Sequence, residues 1–383
     1  MSQSIEILQR LISFDTVCRT PNMDLIDYVR DYLAEAGIEC RVLENEDGTN
    51  ANLFATIGPT DRPGIMLSGH TDVVPVIGQD WSTDPFAMVE RDGKLFGRGA
   101  ADMKGFVACM LRIATLAAKR DLKTPLHIAL SYDEEIGCIG VRRMLDVLAD
   151  ADFQPMFCII GEPTELSVAI GHKGKISAQA TCIGKEAHSS LAPTGLNAIH
   201  LACDFIQALR EGQSELESDG NRDDDFGVPF STIHAGIMTG GTALNIVPNR
   251  CTVDFEIRNL REDDPYAILE KLKLRAAEIS APGRQRFPET GIEIDIINSF
   301  PGLDTPPDAE IVAFVKSLTG GNSTTKVSFG TEGGLFEDRL GVPTVICGPG
   351  SMDQGHKPDE FVARSQIEKC DAMLDNLLDK LSA

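Results

Sequence analysis

The apolar positions of this chain follow two rhythms. In the first, short runs that are apolar throughout stand between helical patterns: Ile65–Leu67, Leu126–Leu130, Phe157–Ile160 and Val342–Cys347. Such runs predict strands buried on both faces. Helical periodicity over 3–14, 23–36, 105–118, 138–149 and 364–381 places helices between and around them, with Gly37 ending the second. Strands of this kind belong to a mostly parallel sheet covered by helices on both faces. Segments 39–44 and 52–57 read as further strands, and 80–96 as loop plus hairpin.

The second rhythm starts at Gly174–Ile183, where polar and apolar residues alternate as in a half-buried strand. A helix over 195–211, an acidic loop over 211–229, strands over Ser231–Met238 and Ile246–Ile257, a helix over Tyr266–Ile279 and a strand over Ile292–Ile297 follow. The order β-α-β-β-α-β is that of a ferredoxin-like antiparallel sheet with two helices on one face. The expected architecture is therefore α/β. A first domain of 1–176 and 299–383 carries an inserted α+β domain of 177–298.

Composition narrows the function. A formal net charge of −23 argues against nucleic acid and anionic membrane surfaces as partners. Ten cysteines occur without a C-x-x-C pair, so reduced, buried thiols are expected rather than a disulfide framework or a thiolate metal site. Glu6 and Arg10 interrupt the first helix at helical spacing, which is not a signal peptide, and no apolar run is long enough to span a bilayer. A cytoplasmic protein is expected.

The chemistry gathers at strand ends. His70 and Asp72, two positions apart after the run Ile65–Leu67, point to the same side of an extended segment. Glu134, Glu135, Glu162 and His356 also follow predicted strands, and Asp102 opens a helix. Ligands of mostly parallel sheets bind beyond the carboxyl ends of the strands. Two histidines and four carboxylates suit two divalent ions that share one carboxylate. If Glu135 holds a metal, Glu134 stays free to take a proton; a solvated acidic turn is the other reading of that pair taken alone. The glycines of Gly97–Gly105 resemble a dinucleotide fingerprint, but Asp102 stands where its third glycine belongs. Neither a G-x-S-x-G elbow nor a phosphate loop is present.

Five stretches, Gly69–Pro75 (GHTDVVP), Gly97–Gly105 (GRGAADMKG), Asp133–Gly137 (DEEIG), Gly161–Thr164 (GEPT) and Gly355–Glu360 (GHKPDE), resemble in order the motifs of the dinuclear zinc aminoacylase and carboxypeptidase family. The resemblance implies one zinc on His70, Asp102 and Glu162 and a second on Glu135, Asp102 and His356, with cobalt or manganese as alternatives. It further implies a cis Asp102–Met103 peptide, Asp72 orienting His70, and Glu134 as general base. His188 would stabilise the oxyanion, in some members across a dimer, and Asn245 and Arg258 would bind substrate. The inserted domain becomes a lid and dimerisation domain, and the protein a homodimer acting on a small N-acyl amino acid.

Within that family, Gly348–His356 and the Thr331-Glu332 pair are most similar to the acetylornithine deacetylase branch. The implied reaction is hydrolysis of N2-acetyl-L-ornithine to ornithine and acetate in arginine biosynthesis. Glu332 would then neighbour the substrate's ammonium, or else be a solvated loop residue. The alternatives are a succinyl-diaminopimelate desuccinylase or a broader N-acyl-amino-acid amidohydrolase, and, from another class, a non-catalytic metal-binding relative.

Overall fold

The computed structural model describes residues 2–151, 153 and 155–383. The chain divides into two compact units, the first of 1–171, 303–326 and 331–383, the second of 172–302 and 327–330. The division thus falls a few residues outside the expected 177 and 298, and the second unit also takes in four residues of a later loop.

In the first unit, α1 (Gln3–Ile12) and α2 (Met23–Glu35) lead into β1 (Cys40–Glu44), β2 (Ala51–Ile57) and β3 (Ile65–His70). The hairpin β4 (Val89–Arg91) and β5 (Lys94–Phe96) precedes α3 (Lys104–Ala117), β6 (Leu126–Ser131), α4 (Val141–Asp150), β7 (Phe157–Pro163) and β8 (Val168–His172). The second unit holds β9 (Gly174–Ile183), α5 (Ala198–Asp219), β10 (Thr232–Gly240), β11 (Arg250–Asn259), α6 (Pro265–Arg286) and β12 (Gly291–Phe300). The chain then returns to the first unit with β13 (Leu303–Asp304), α7 (Glu310–Thr319), β14 (Thr324–Val327), α8 (Gly333–Leu340), β15 (Thr344–Gly348), β16 (Phe361–Ala363) and α9 (Arg364–Ser382).

The large sheet runs β1-β2-β6-β3-β7-β15-β8-β13, with β14 on β8. Its centre, β6-β3-β7-β15, is parallel, and β1, β2 and β8 join antiparallel. Every residue of β3, β6, β7 and β15 is buried, which explains their unbroken apolar runs. Helices α1, α3 and α9 pack together on one face, with α2 and α7, and α4 packs with α8 on the other. This covering on both faces is the arrangement read from the sequence.

The second unit has the order β10-β11-β9-β12, antiparallel throughout, with α5 and α6 on it. Its core is separate, built on Phe205, Leu209, Val253, Phe255 and Leu272. Asn197 caps α5 by accepting from the amides of Ile199 and His200.

Two expectations are corrected. The stretch 211–219, expected as loop, continues α5: its glutamates, Gln213 and Leu216 are good helix formers, and acidity alone does not end a helix. Helix α4 starts at Val141, because Gly137 and Cys138 lie at φ 113° and 55°, outside helical space. Strands β8, β13 and β14 and helices α7 and α8 were not anticipated. Among the described residues all ten thiols are free, and no helix is long and apolar enough to cross a membrane.

One close approach positions the site. A Cβ on Gly161 would lie 1.9 Å from Cδ1 of Phe106, whose ring comes from α3 and is fully buried. The next residue on β7 is Glu162. Gly161→Ala is therefore expected to cost about 1–3 kcal/mol by overpacking, lowering the melting temperature in a thermal unfolding experiment.

Candidate metal centre

The carboxyl ends of the parallel strands bring the predicted ligands together. His70 is the last residue of β3, Glu162 lies near the end of β7, Glu135 follows β6, and His356 follows β15. Asp102 immediately precedes α3, across a cis Asp102–Met103 peptide. Its two oxygens face different histidines: Oδ1 is 3.0 Å from Nε2 of His70, and Oδ2 is 3.2 Å from Nε2 of His356. Glu162 lies 3.6 Å from Nε2 of His70, and Glu135 3.0 Å from Nε2 of His356. Ligand-type atoms of His70, Asp102 and Glu162 lie within 4.8 Å of one another, as do those of Asp102, Glu135 and His356.

The tautomer of His70 suits a metal. Its Nδ1 is 2.9 Å from the carbonyl of Asp72, which can only accept, so Nδ1 carries the proton and Nε2 faces the carboxylates. Asp72 was expected to orient His70, and both its carbonyl and its carboxylate face Nδ1, the carboxylate at 3.4 Å. The two carboxylate oxygens also accept from the amides of Glu134 and Glu135, each at 3.1 Å, so the same side chain holds the turn that carries Glu134.

The electrostatics ask for cations. Burial first, and then the charge of Asp102, pushes Glu135 up to about 7. Glu162 is raised well above the usual carboxylate range for the same two reasons. Burial acts upward on Asp102 too, yet hydrogen bonds from His356 and His70 hold its carboxyl low. His356, hydrogen-bonded to Asp102 and Glu135, is pushed up to about 10. Buried carboxylates in such a crowd are costly unless positive charge offsets them. Oε2 of Glu162 is buried with no hydrogen-bond partner among the described residues. Hard oxygen donors, two imidazole nitrogens and an orphaned carboxylate oxygen fit divalent ions.

Glu134 stands next to this cluster without belonging to either ligand group. The thiol of Cys138 donates to its Oε1 at 3.4 Å. Burial raises its carboxyl well above the usual range; the charge of His70 works against this, and Glu135 and Glu332 add to it. A buried carboxyl with a raised pKa beside a candidate metal centre is the kind of group suited to moving a proton.

The other predicted residues divide. In the second unit, the backbones of His188 and Ile246 form a β-bridge and Ser189 donates to the carbonyl of Asn245, so His188 and Asn245 lie on adjoining segments. Nδ1 of His188 accepts from the amide of Ser190, which leaves the proton of the neutral ring on Nε2. Arg258 is paired with Glu256 at 2.8 Å, and Glu256 also meets Lys175. Thr331 is fully buried and accepts from the amide of Gly333 at the start of α8. Glu332 is 1% exposed, which corrects the reading of it as a solvated loop residue, and burial pushes it up to about 7. Both sit where an unanticipated helix begins. Sequence reasoning also passed over Cys138, Arg98 and Gln79, whose roles depend on long-range contacts that no local pattern announces.

A sequence model described as Peptidase family M20/M25/M40 matches residues 66–380. The acetylornithine deacetylase of Photorhabdus laumondii subsp. laumondii is 34% identical over 383 residues, covering 98% of this chain and 96% of its own. That of Myxococcus xanthus is 33% identical over 373 residues, covering 96% and 94%. Among solved structures, the M20 family metallo-carboxypeptidase Sso-CP2 from Sulfolobus solfataricus superposes with a TM-score of 0.82 at 19% identity, covering 100% of this chain and 99% of its own. A dinuclear metal binding peptidase from the M20 family, Bacillus subtilis YXEP, gives a TM-score of 0.66 at 16% identity, covering 99% and 98%. These likenesses carry the fold.

The two amides on Asp72 give a test. Asp72→Asn replaces one acceptor with a donor facing an N–H, and the Glu134–Glu135 turn shifts. Metal affinity measured by chelator competition is expected to fall roughly 10–100-fold, the usual cost of losing a ligand's support.

Proposed function

The chain belongs to peptidase family M20/M25/M40, and from that premise we propose that it is a metal-dependent amidohydrolase that removes acetate from N2-acetyl-L-ornithine. The observation that carries the reaction class is Asp102, one carboxylate facing two histidines with Glu134 beside it. Support for the substrate comes from the curated relatives, 33–34% identical over nearly the whole chain. Release of ornithine would serve arginine biosynthesis, and a cytoplasmic enzyme is part of the same proposal.

His70, Asp102 and Glu162 would hold one divalent ion, and Asp102, Glu135 and His356 a second; zinc fits the donor set, and cobalt or manganese would also be accepted. When bound, the pair supplies Lewis acidity toward the acyl carbonyl and lowers the pKa of water. The chain's own residues do the rest. Glu134 takes the proton of the attacking water as the new C–O bond forms, and returns it to the leaving amine as the C–N bond breaks. The Nε2–H of His188 donates to the oxyanion, from the same chain or from a dimer partner. Asn245 and Arg258 read the substrate's polar end. A carboxylate there competes with Glu256 for the guanidinium fork.

The test is hydrolysis of N2-acetyl-L-ornithine beside N-succinyl-diaminopimelate and N-acetyl-methionine, with metal-stripped and zinc-reconstituted protein. Acetylornithine is expected to be preferred, with activity lost on stripping and restored by zinc; preference for the succinyl substrate would sink the assignment. Glu134→Gln is expected to lower kcat by at least ~100-fold, as befits a general base, while metal content stays unchanged. The sign of the pH effect follows from the base's role. Glu134 acts ionised, so kcat/KM should fall as pH drops through its raised pKa.

The second unit supports a homodimer. Strand β10 lies at the edge of its sheet with Ile237 and Met238 exposed, and Leu244 and Ile246 stand exposed beyond it. An apolar edge strand is a template for pairing, and a second copy satisfies it. Sedimentation is expected to give a dimer at micromolar concentration, and Ile237→Lys a monomer. A monomeric wild type would end this part of the proposal.

A further inference from the structure

Behind the ligand residues lies an ion pair that the reaction above does not use. Arg98 and Glu360 are each 1% exposed, with Nη1 of Arg98 2.7 Å from Oε2 of Glu360. A buried pair of this kind is seldom more stabilising than apolar residues of equal volume, so stability alone does not account for it. Its other bonds do. Oε1 of Glu360 accepts from the amides of Ala101 at 2.9 Å and Asp102 at 3.1 Å, and Oε2 from the amide of Gly99 at 3.1 Å. The amide of Gly97 donates to the Glu360 carbonyl at 2.9 Å. The segment from Gly97 to Asp102 is wrapped around one residue, and the bridging carboxylate stands at its end.

Arg98 carries the connection onward. It donates to Oε1 of Gln79 and to the carbonyl of Lys357, and its guanidinium lies 4.9 Å from the centre of the Trp81 ring. Nε2 of Gln79 in turn donates to the carbonyl of His356 at 3.0 Å. The amide and hydroxyl of Ser82 donate to Asp359 at 2.8 and 3.0 Å. His356 and Asp359 lie at φ 60° and 54°, a region that residues with side chains occupy when their surroundings hold them there.

We propose that Glu360 is a positioning residue of the metal centre: it fixes the backbone of the bridging Asp102 and, through Arg98 and Gln79, fixes His356 relative to it. The inference rests on the reading of Asp102 and His356 as ligands. It makes the support unequal. Glu360 acts on Asp102, which belongs to both ligand groups, whereas Gln79 acts on His356, which belongs to one. Loss of the Glu360 charge therefore loosens both ions, and loss of the Gln79 amide loosens only the ion shared by Glu135 and His356.

The experiment uses full-length protein, stripped of metal and titrated calorimetrically with Zn2+, and separately with Co2+ while its visible absorption is followed. Wild type, Glu360→Gln and Gln79→Ala are compared. Gln79→Ala is expected to keep one site at wild-type affinity and weaken the other roughly 10–100-fold, with altered absorption for the second Co2+ equivalent only. Glu360→Gln is expected to weaken both sites and alter both spectra. Should Glu360→Gln fail to fold, Gln79→Ala, on a half-buried loop residue, carries the test, with a cooperative melting curve without metal as the check that it is folded. Wild-type affinities and spectra in Gln79→Ala, or equal weakening of both sites there, would overturn the proposal. A wild-type protein that binds fewer than two ions would instead overturn the reading of the site on which it rests.

Discussion

One carboxylate shared between two imidazoles sets the terms for the rest of the first unit. Asp102 can meet His70 and His356 at once only if the end of β3, the start of α3 and the loop after β15 converge. A parallel sheet achieves this because its strands all release their chains on one side. Glu162 and Glu135 arrive by the same route from β7 and β6. The close fit of Phe106 against Gly161 shows how little slack the arrangement has, since α3 carries both that ring and, just ahead of its first turn, the bridging carboxylate.

The carboxylates outside the ligand groups follow a common plan. Asp72 spends its two oxygens on the amides of Glu134 and Glu135, and Glu360 spends one oxygen on those of Ala101 and Asp102. The turns that carry Glu135 and Asp102 are thus each held by a buried anion that accepts from consecutive amides. Such charge-assisted bonds are stronger than neutral ones, and they fix backbone where neither helix nor sheet does. The plan concentrates negative charge in the interior, which Arg98 offsets in part and divalent ions would offset further.

Much of this was legible in the chain. Strands buried on both faces leave unbroken apolar runs, and the candidate ligands stand after such runs or at a helix start, so the fold and the grouping of these side chains could be read together. The second unit was legible from its alternation, with β9-α5-β10-β11-α6-β12 in the predicted order. What escaped notice shares a physical cause. Helix α5 continues through 211–219 because helix propensity outlasts the amphipathic pattern. Helix α8 is only eight residues long, too short for a periodic signal, and missing it left Thr331 and Glu332 on an imagined open loop. For Asp72 the spacing pointed to His70, but its bonds to the amides of Glu134 and Glu135 were not legible, because they join segments far apart in the chain.

Within the second unit, the residues proposed to meet the substrate are donors held by their own neighbours. The amide of Ser190 donates to Nδ1 of His188, so the proton of the neutral ring stands on Nε2. Glu256 holds the guanidinium of Arg258 from one side at 2.8 Å. If Arg258 takes a carboxylate, as proposed, that anion must displace or share Glu256, and the pair would then tune how strongly the carboxylate is held.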